Sequence, residues 1–385
     1  LKEVIRIEKM PFTDEFITKD FIGTEFLADI EIAVCLNCGS AQNMHDTDMD
    51  AYYNEYTYTV QSSGFAINFM KLLAGRIKEN YFKNNTEPKI LEIGSGSGEQ
   101  LLEFQKEGFK TLGIEPSEKL SDYANTIGIK TLTTFFDENT TGILDNDFKT
   151  FDAVVTSYTF DHIPRPVEVL KNIHSILNEN GILIIEVHNL ELIRKRNEFC
   201  LFEHEHYTYL NENTMTSLLA ENKFEMLTYN LLSNDEKRAN SLLVVARKSE
   251  NKIQHQVNVQ EEINLLSHLN SEINKSIERI DQWLIRNSDK KIVAYGAGGR
   301  GIMTIAALKN FQNFSYIVDK NPKATNIYAP KSHLPVFNID ELGKNKADII
   351  LIFSFGYYNE IVNELHNKFG YNANQFISIL ELLES

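Results

Sequence analysis

The 385-residue sequence has few cysteines, no long apolar run and no excess of basic residues. Three cysteines do not make a disulfide framework, which favours a reducing cytoplasm. No apolar run approaches the roughly 18 residues of a membrane span. No secretory signal is visible either, although the numbering begins at Leu1 rather than at methionine. The net charge of −16 argues against wholesale nucleic-acid binding, because a duplex would be repelled.

The length and the pattern of the chain predict several folded units. A chain of this length is sufficient for two or three domains. Residues 1 to about 60 are loop-rich, and a predicted α/β region follows that extends to about Lys248. Residues 253–286 carry apolar side chains at helical spacing and predict one long amphipathic helix that bridges two domains. A second strand–glycine–helix unit begins at residues 291–301, so the C-terminal third is predicted to be another Rossmann-like domain.

Residues 89–98 predict a buried strand that leads through a glycine-rich turn into a helix. The turn follows the acidic strand residue Glu92 and has the pattern Gly-x-Gly-x-Gly, formed by Gly94, Gly96 and Gly98. Glu115 ends the next predicted strand about 20 residues later, the interval of a nucleotide-binding βαβ unit. Glycines allow the backbone to approach a ligand, and a carboxylate can accept both hydroxyls of a ribose. This glycine spacing favours S-adenosylmethionine (SAM) over NAD.

Two further predicted strands, residues 151–157 and 181–187, agree with a central class I SAM methyltransferase fold. This is a Rossmann-like α/β domain. The alternative is a chance glycine turn in another α/β sheet, because short Gly/Ser turns also occur for purely conformational reasons. Ser157, at the end of the first of these strands, is a candidate for cofactor binding.

Residues 202–209 concentrate side chains that can move protons. His206 is the candidate general base, with Glu205 beside it to fix its tautomer. A metal site is an alternative, but His204 and His206 at i, i+2 lack the i, i+4 spacing of a zinc-binding helix. A solvated surface turn is the other alternative for such a polar run. The position just after the predicted fifth strand favours catalysis, because the end of that strand borders the cofactor pocket.

Other candidates carry less information when each is taken alone. His162 follows the fourth strand, where methyl acceptors usually meet the methyl group, although a lone histidine is more often structural. Tyr56 and Tyr58 are equally compatible with aromatic packing. Cys35 and Cys38 form a single CxxC, half of the four-ligand set of a structural zinc site, so two ordinary reduced thiols are the alternative.

Together these segments resemble the SAM-dependent C-methyltransferases of nucleotide-linked deoxysugars over nearly the whole chain. The resemblance implies a zinc-binding N-terminal domain, a central SAM-binding domain and a C-terminal Rossmann-like domain. We therefore predict a zinc-binding-like domain at residues 1–62, a SAM-binding domain at 63–250, and a long helix with a second Rossmann-like domain at 251–385. The matching segments are Cys35-Leu36-Asn37-Cys38, Tyr56-Thr57-Tyr58, residues 109–116, residues 133–136, His162-Ile163-Pro164, Glu205-His206, residues 295–297 and residues 319–323.

The resemblance also implies an activity, the transfer of a methyl group to the carbon next to the ketone of a nucleoside-diphosphate 4-keto-6-deoxysugar. His206 would be the base, and Glu205 would orient it or the sugar. His162 would contact the enolate oxygen together with Tyr58 or Tyr56.

In the SAM site of this family pattern, the three glycines would give backbone approach and Glu115 would hold the ribose. Phe135 or Phe136 would line the adenine, and Glu92 and Ser157 complete the cofactor candidates. A zinc ion at Cys35 and Cys38 would be structural.

The chain departs from the family at residues 233–242, which lack the paired glycines of a substrate-contacting stretch. It also has Gly298-Gly299-Arg300 where a lysine-bearing variant is common. Arg300 is a candidate partner for the diphosphate, or an ordinary surface residue at a helix start. Two alternatives therefore accompany C-methylation: an O- or N-methyltransferase acting on another small metabolite, and a non-catalytic nucleotide-binding module. The sugar, the nucleotide and the oligomeric state stay open.

Overall fold

The computed structural model describes residues 1–13, 15–45, 64–251 and 253–383. These residues form three β-sheets, of four, seven and seven strands. None of the helices in these ranges is long and apolar enough to cross a membrane.

The N-terminal sheet is antiparallel and takes its last strand from the central region. That strand directly follows the segment that carries His206, so the sheet anchors the candidate catalytic segment to the N-terminal part of the chain. The strands, in spatial order, are β1 (Lys2–Met10), β3 (Ala28–Val34), β4 (Ala41–Asn43) and β10 (Thr208–Tyr209).

The central sheet has the order β11-β12-β9-β8-β5-β6-β7. Only β12 runs against its neighbours, and the other six strands share one direction. The strand order reverses between β5 and β8, which places a crevice at their carboxyl ends. The strands are β5 (Lys89–Ile93), β6 (Lys110–Ile114), β7 (Thr131–Leu132), β8 (Phe151–Ser157), β9 (Leu177–Val187), β11 (Phe224–Thr228) and β12 (Leu242–Lys248).

Helices cover both faces of this sheet, and buried apolar side chains pack against each face. One of them begins with Pro166, whose fixed φ suits the first helical position. The helices are α1 (Gly64–Tyr81), α2 (Glu99–Lys106), α3 (Glu118–Thr126), α4 (Thr140–Ile143), α5 (Pro166–Ile176), α6 (Leu190–Arg196) and α7 (Glu212–Glu221).

The C-terminal sheet has the order β18-β17-β13-β14-β16-β15-β2. Its first five strands are parallel, and its last strand is a short N-terminal segment paired with β15. The strands are β2 (Ile17–Thr18), β13 (Ile292–Tyr295), β14 (Phe314–Asp319), β15 (Ile327–Tyr328), β16 (Pro335–Asn338), β17 (Ile349–Ile352) and β18 (Phe376–Ser378). The helices are α9 (Gly299–Ala307), α10 (Glu341–Lys344), α11 (Tyr358–Phe369) and α12 (Ile379–Leu383).

The long helix α8 (Val259–Arg286) starts six residues later than the amphipathic pattern predicts. Asn258 ends the preceding segment, because its side chain accepts the backbone N–H of Glu261 and caps the helix. The apolar face of α8 is buried in one cluster with β1, β3 and the C-terminal sheet. Each fully buried Leu or Ile contributes about 1.5–3 kcal/mol. The N-terminal and C-terminal regions therefore share a core through α8. The buried face comprises Ile263, Leu266, Leu269, Ile273, Ile280 and Leu284.

Candidate active site

A cleft of about 1910 Å³ opens above the carboxyl ends of β5, β8 and β9. All three regions of the chain line it: Thr13 from the N-terminal region, the glycine loop from the central region, and Arg300 from the C-terminal region. A cleft of this size can hold two ligands side by side. The three regions therefore enclose one shared site.

The glycine loop and Glu115 form one hydrogen-bonded unit at the floor of the cleft. The N–H of Gly96 donates to Glu115 Oε2 at 2.8 Å, and the N–H of Ser117 donates to Oε1 at 2.9 Å. Burial raises the pKa of the Glu115 carboxyl against the opposing effect of these two bonds. Gly94, Gly96 and Gly98 all have positive φ, at 70°, 53° and 87°. At Gly94 a side chain is also excluded by contact, because a Cβ would lie 2.3 Å from Thr159 Oγ1.

The remaining cofactor candidates line the same end of the cleft. Glu92 is buried, and its Oε2 accepts no hydrogen bond from any residue the structure describes. Burial, followed by the charge of Glu99, raises the pKa of this carboxyl well above its usual value. Phe135 is 39% exposed and Phe136 is 9% exposed, while Ser157 closes the end of β8. These side chains fit the groups of SAM. The buried carboxyl of Glu92 suits the ammonium group, the carboxylate of Glu115 suits the ribose, and the two phenylalanines suit the adenine.

His206 lies in a buried turn, directly before β10. Its Nδ1 donates to the carbonyl of Leu201 at 3.0 Å. A carbonyl only accepts, so the neutral ring carries its proton on Nδ1 and keeps a lone pair on Nε2. Burial, followed by the nearby charge of His188, lowers the pKa of His206, while Asp161 opposes this effect. His206 is therefore neutral near pH 7 and able to accept a proton.

The neighbours of His206 in the chain have separate partners. Glu205 lines the cleft and accepts a hydrogen bond from Thr13 Oγ1 at 3.3 Å. Glu203 places a carboxylate oxygen 3.7 Å from His206 Nε2, and the charge of Glu205 also acts against the lowering of the His206 pKa. His204 donates to the carbonyl of Met10 at 2.9 Å and belongs to the N-terminal packing.

The structure corrects one expectation about this run. A solvated surface turn does not describe residues 203–206, because all four are between 1% and 8% exposed. The segment forms a buried turn instead, in which the N–H of His206 donates to the carbonyl of Glu203 at 3.3 Å.

A second histidine meets His206 from the turn after β8. The rings of His162 and His206 are 4.7 Å apart and nearly perpendicular. Burial lowers the pKa of His162 to about 3, against the opposing charge of Asp161. His162 is therefore also neutral at pH 7. Tyr56 and Tyr58, its predicted companions, lie outside the described residues.

The sequence did not single out His188, which follows β9. Its ring lies 4.8 Å from that of His206, and its Nδ1 donates to Asp161 Oδ2 at 2.9 Å. One signal could have found it, since a histidine directly after a strand of a parallel sheet lies at the ligand-binding edge. Asp161 was missed because its partner is 27 residues away.

Two places among the described residues could offer metal ligands. Ligand atoms of Asp161, His162 and His206 all lie within 4.8 Å of one another. Cys35 and Cys38 flank the turn between β3 and β4, as free and partly exposed thiols. Burial raises the pKa of the Cys35 thiol, but backbone N–H groups in the turn outweigh it and the net pKa is lowered. Two thiols are half of a structural zinc site, so zinc stays a prediction.

The stretch that departs from the family, residues 233–242, lines the cleft with a cation. Arg238 Nη1 donates to Glu186 Oε2 at 2.8 Å and stacks over the rings of Phe69 and Tyr158. Its guanidinium compensates the fully buried carboxylate of Glu186. Arg238 was not among the predicted site residues, and it lines the cleft.

The C-terminal glycine loop reaches the catalytic turn directly. A Cβ on Gly299 would lie 2.8 Å from Glu203 Oε1, so glycine permits this approach. Beside it, Arg300 lies 3.6 Å from a carboxylate oxygen of the buried Glu198 and over the ring of Phe355. Arg300 therefore lines the cleft from the start of α9, and is not an ordinary surface residue.

Comparison with known proteins agrees with this architecture. Residues 66–229 match the family model described as a methyltransferase domain, and residues 236–380 match a C-methyltransferase C-terminal domain. The chain is a SAM-dependent methyltransferase that carries a C-methyltransferase C-terminal domain. The predicted family, the class I Rossmann-like fold and the methyltransferase activity are thereby confirmed.

Individual relatives of this methyltransferase are distant. The C-methyltransferase NovU of Streptomyces niveus is 21% identical over 375 residues, which cover 93% of this chain and 88% of NovU. An uncharacterized methyltransferase of Alkaliphilus oremlandii is 31% identical over 145 residues, 32% of this chain and 62% of that protein.

Solved structures resemble about half of the chain. The plantazolicin methyltransferase BpumL in complex with SAH has 16% identity and a TM-score of 0.39, and covers 50% of this chain and 87% of that one. The magnesium protoporphyrin IX methyltransferase of Synechocystis PCC 6803, with bound SAH, has 15% identity and a TM-score of 0.39, covering 52% and 98%.

Proposed function

We propose that this C-methyltransferase methylates the carbon next to the ketone of a nucleoside-diphosphate 4-keto-6-deoxysugar. The match to a C-methyltransferase over 93% of the chain supports the reaction type. One observation carries the chemistry: His206 is a buried, neutral imidazole with its proton fixed on Nδ1 and a free lone pair on Nε2.

A ketone makes the adjacent C–H bond acidic enough for such a base. His206 Nε2 takes the α-proton, and the electron pair of the C–H bond moves to the carbonyl oxygen as an enolate. The enolate carbon then attacks the methyl group of SAM, and the S–CH₃ bond breaks to leave S-adenosylhomocysteine. General-base catalysis of this kind is worth about 10²–10⁴-fold in rate.

The side chains around His206 suit the charge changes of this reaction. Glu203 lies 3.7 Å from Nε2 and stabilises the imidazolium that forms. His162 faces the same ring and, as a neutral imidazole, can donate a hydrogen bond to the enolate. Glu205, held by Thr13, is placed to bind a hydroxyl of the sugar.

The C-terminal loop supports the nucleotide half of the proposal. Ala297 N–H donates to Asp319 Oδ2 at 2.9 Å, the same arrangement that Gly96 and Glu115 form in the SAM domain. Arg300 lies beside this loop in the cleft wall. A guanidinium at a glycine-rich helix start is suited to a diphosphate.

A structural zinc ion at Cys35 and Cys38 and a reducing cytoplasm belong to the same proposal. The free state of all three cysteines is compatible with both.

The test is mass spectrometry of thymidine, guanosine and cytidine diphosphate 4-keto-6-deoxysugars incubated with the protein in D₂O, with and without SAM. We expect deuterium next to the ketone of one sugar, and a methyl mass gain on that sugar only with SAM. His206→Gln should abolish both signals. His174→Gln is the matched control, since His174 binds the carbonyl of Ser249 outside the cleft.

Other outcomes of this experiment would contradict the proposal. A methyl mass gain without deuterium exchange would indicate O- or N-methylation. This conclusion requires a control that excludes return of the original proton from the base to the same carbon. Neither signal with any sugar would place the acceptor outside this class. Retention of both signals in His206→Gln would remove the proposed base.

A further inference from the structure

Arg238 is held in the cleft wall by three contacts. Its Nη1 donates to Glu186 Oε2 at 2.8 Å, and its guanidinium carbon lies 4.7 Å from the centre of the Phe69 ring and 5.1 Å from that of Tyr158. These partners belong to β9, to α1 and to the residue that follows β8. Because three separate elements contact the guanidinium, its position is fixed.

Part of the guanidinium remains available to a ligand. Arginine carries five N–H donors in a rigid fork. Among the residues that the structure describes, Glu186 is the hydrogen-bond acceptor of Arg238, and no nitrogen of Arg238 is both buried and without a partner. The side chain is 17% exposed and lines the cleft. The N–H groups that Glu186 does not use therefore face the cleft.

Glu186 does not depend on Arg238 alone. Its Oε1 accepts the Oγ–H of Ser241 at 2.9 Å, and the residue is fully buried. Arg238 thus uses part of its fork for a carboxylate of the protein and keeps the remainder for a ligand. A guanidinium edge binds a carboxylate or a phosphate through parallel N–H···O bonds. The free edge is therefore suited to an anionic group of a bound molecule.

The strand register places Arg238 on the same face of the central sheet as Glu92. Glu92 pairs with Val155, and Ser157 pairs with Glu186. Side chains two residues apart on a strand, and side chains of paired residues, point to one face. Glu92 and Glu186 therefore share a face and lie about 10 Å apart, on either side of β8. Arg238, which is bonded to Glu186, lies on this face.

The charges agree with this placement. Burial, followed by the charge of Glu99, raises the pKa of the Glu92 carboxyl, and the charge of Arg238 opposes this rise. Both Glu92 and Arg238 line the cleft. The amino-acid end of SAM carries an ammonium group and a carboxylate on one carbon atom. Glu92 suits the ammonium group, which leaves the free edge of Arg238 for the carboxylate.

We propose that Arg238 binds the carboxylate of the methionine part of SAM. An arginine is a cation at every working pH, so the contact requires no change of protonation. Contacts of Glu92 and Arg238 to the two groups on one carbon atom orient the chain that leads to the sulfonium. The inference concerns the cofactor and does not depend on which acceptor is methylated.

The experiment compares the dissociation constants of SAM and decarboxylated SAM, measured by calorimetry on the whole chain without an acceptor. Decarboxylated SAM keeps the adenosine, sulfonium and ammonium groups and lacks only the carboxylate. The wild-type protein should bind SAM about 10- to 100-fold more tightly, as hydrogen bonds to a charged group allow. Arg238→Gln keeps an amide donor for Glu186 but lacks the guanidinium. It should bind SAM as weakly as decarboxylated SAM, with the affinity for decarboxylated SAM unchanged.

A second variant keeps the positive charge beside Glu186. Arg238→Lys preserves the ion pair if Arg238→Gln does not fold, but it lacks the planar fork that binds a carboxylate through two bonds. It should lose part of the preference for SAM and keep the affinity for decarboxylated SAM.

Two control variants accompany these measurements. Glu186→Gln disturbs the same buried pair but leaves the guanidinium, so it should still prefer SAM. Arg76→Gln removes an arginine of α1 that lies 3.9 Å from Glu236 outside the cleft, and it should match wild type with both ligands.

Three results would overturn the inference. Equal affinity of the wild-type protein for the two ligands would show that the carboxylate has no favourable contact. Equal weakening of both ligands in Arg238→Gln or Arg238→Lys would show that Arg238 only supports the shape of the pocket. A variant of Arg238 that keeps the full preference for SAM but binds thymidine diphosphate more weakly than wild type would assign the free edge to the acceptor instead.

Discussion

Replacing Gly94 with alanine should destabilise the methyltransferase domain by two separable effects. The residue has φ +70°, and the left-handed conformation costs an alanine about 1–2 kcal/mol. The new Cβ would also lie 2.3, 2.6 and 2.9 Å from Oγ1, Cγ2 and Cβ of Thr159. Overpacking of this kind typically costs about 1–3 kcal/mol. We expect the free energy of unfolding to fall by about 2–5 kcal/mol.

Gly128→Ala isolates the conformational part of this loss. Gly128 has φ +86°, and a Cβ there would meet nothing within 4 Å. It should cost only about 1–2 kcal/mol. Thr159→Gly in the Gly94→Ala background removes all three contacting atoms, and it should recover the steric part of the loss.

The assay is urea unfolding followed by circular dichroism, with SAM affinity measured in parallel by calorimetry. Thr159 precedes the turn that carries His162, so Gly94→Ala should also lower methyl transfer in the protein that remains folded. If Gly94→Ala and Gly128→Ala cost the same within about 0.5 kcal/mol, the close contact with Thr159 is not a constraint and the reasoning is refuted.

Three further predictions concern ligand binding and pH. Glu115→Gln should weaken SAM binding about tenfold or more in calorimetry, because hydrogen bonds to a charged group are worth about 1.5–3 kcal/mol. The control is Glu118→Gln at a nearby exposed position. Equal weakening by the control would contradict a specific role of Glu115. The pH profile of kcat/KM should have its acid limb below the usual imidazole pKa of about 6.5. The pKa of His206 is lowered, so activity is lost only as the pH falls through that lower pKa and Nε2 is protonated. An acid limb above pH 7 would argue against His206 as the base. Arg300→Met should raise KM for the nucleotide sugar more than it lowers kcat, measured against Arg286→Met at the exposed end of α8, and an unchanged KM would remove Arg300 from the diphosphate site.

Local sequence patterns predicted much of the architecture. Residues 89–115 contain an apolar strand, a glycine turn and an acidic residue after the next strand. All three features lie within one short stretch of chain, so together they predict the βαβ unit that contains β5 and β6. The apolar stripe of α8 was predictable for the same reason, since helical spacing repeats within a few residues. These features depend on interactions over short stretches of chain.

The sequence by itself thus determined the SAM-type fold, the second Rossmann-like sheet and the position of His206 as a candidate base. Only the tertiary structure decided which side chains surround that base. Strand order brings His188 and Asp161 together across 27 residues, and it places β10 in the N-terminal sheet and β2 in the C-terminal sheet. The turn at residues 203–206 also gives His204 and His206 different partners. Such contacts depend on long-range packing, which no local spacing in the chain encodes.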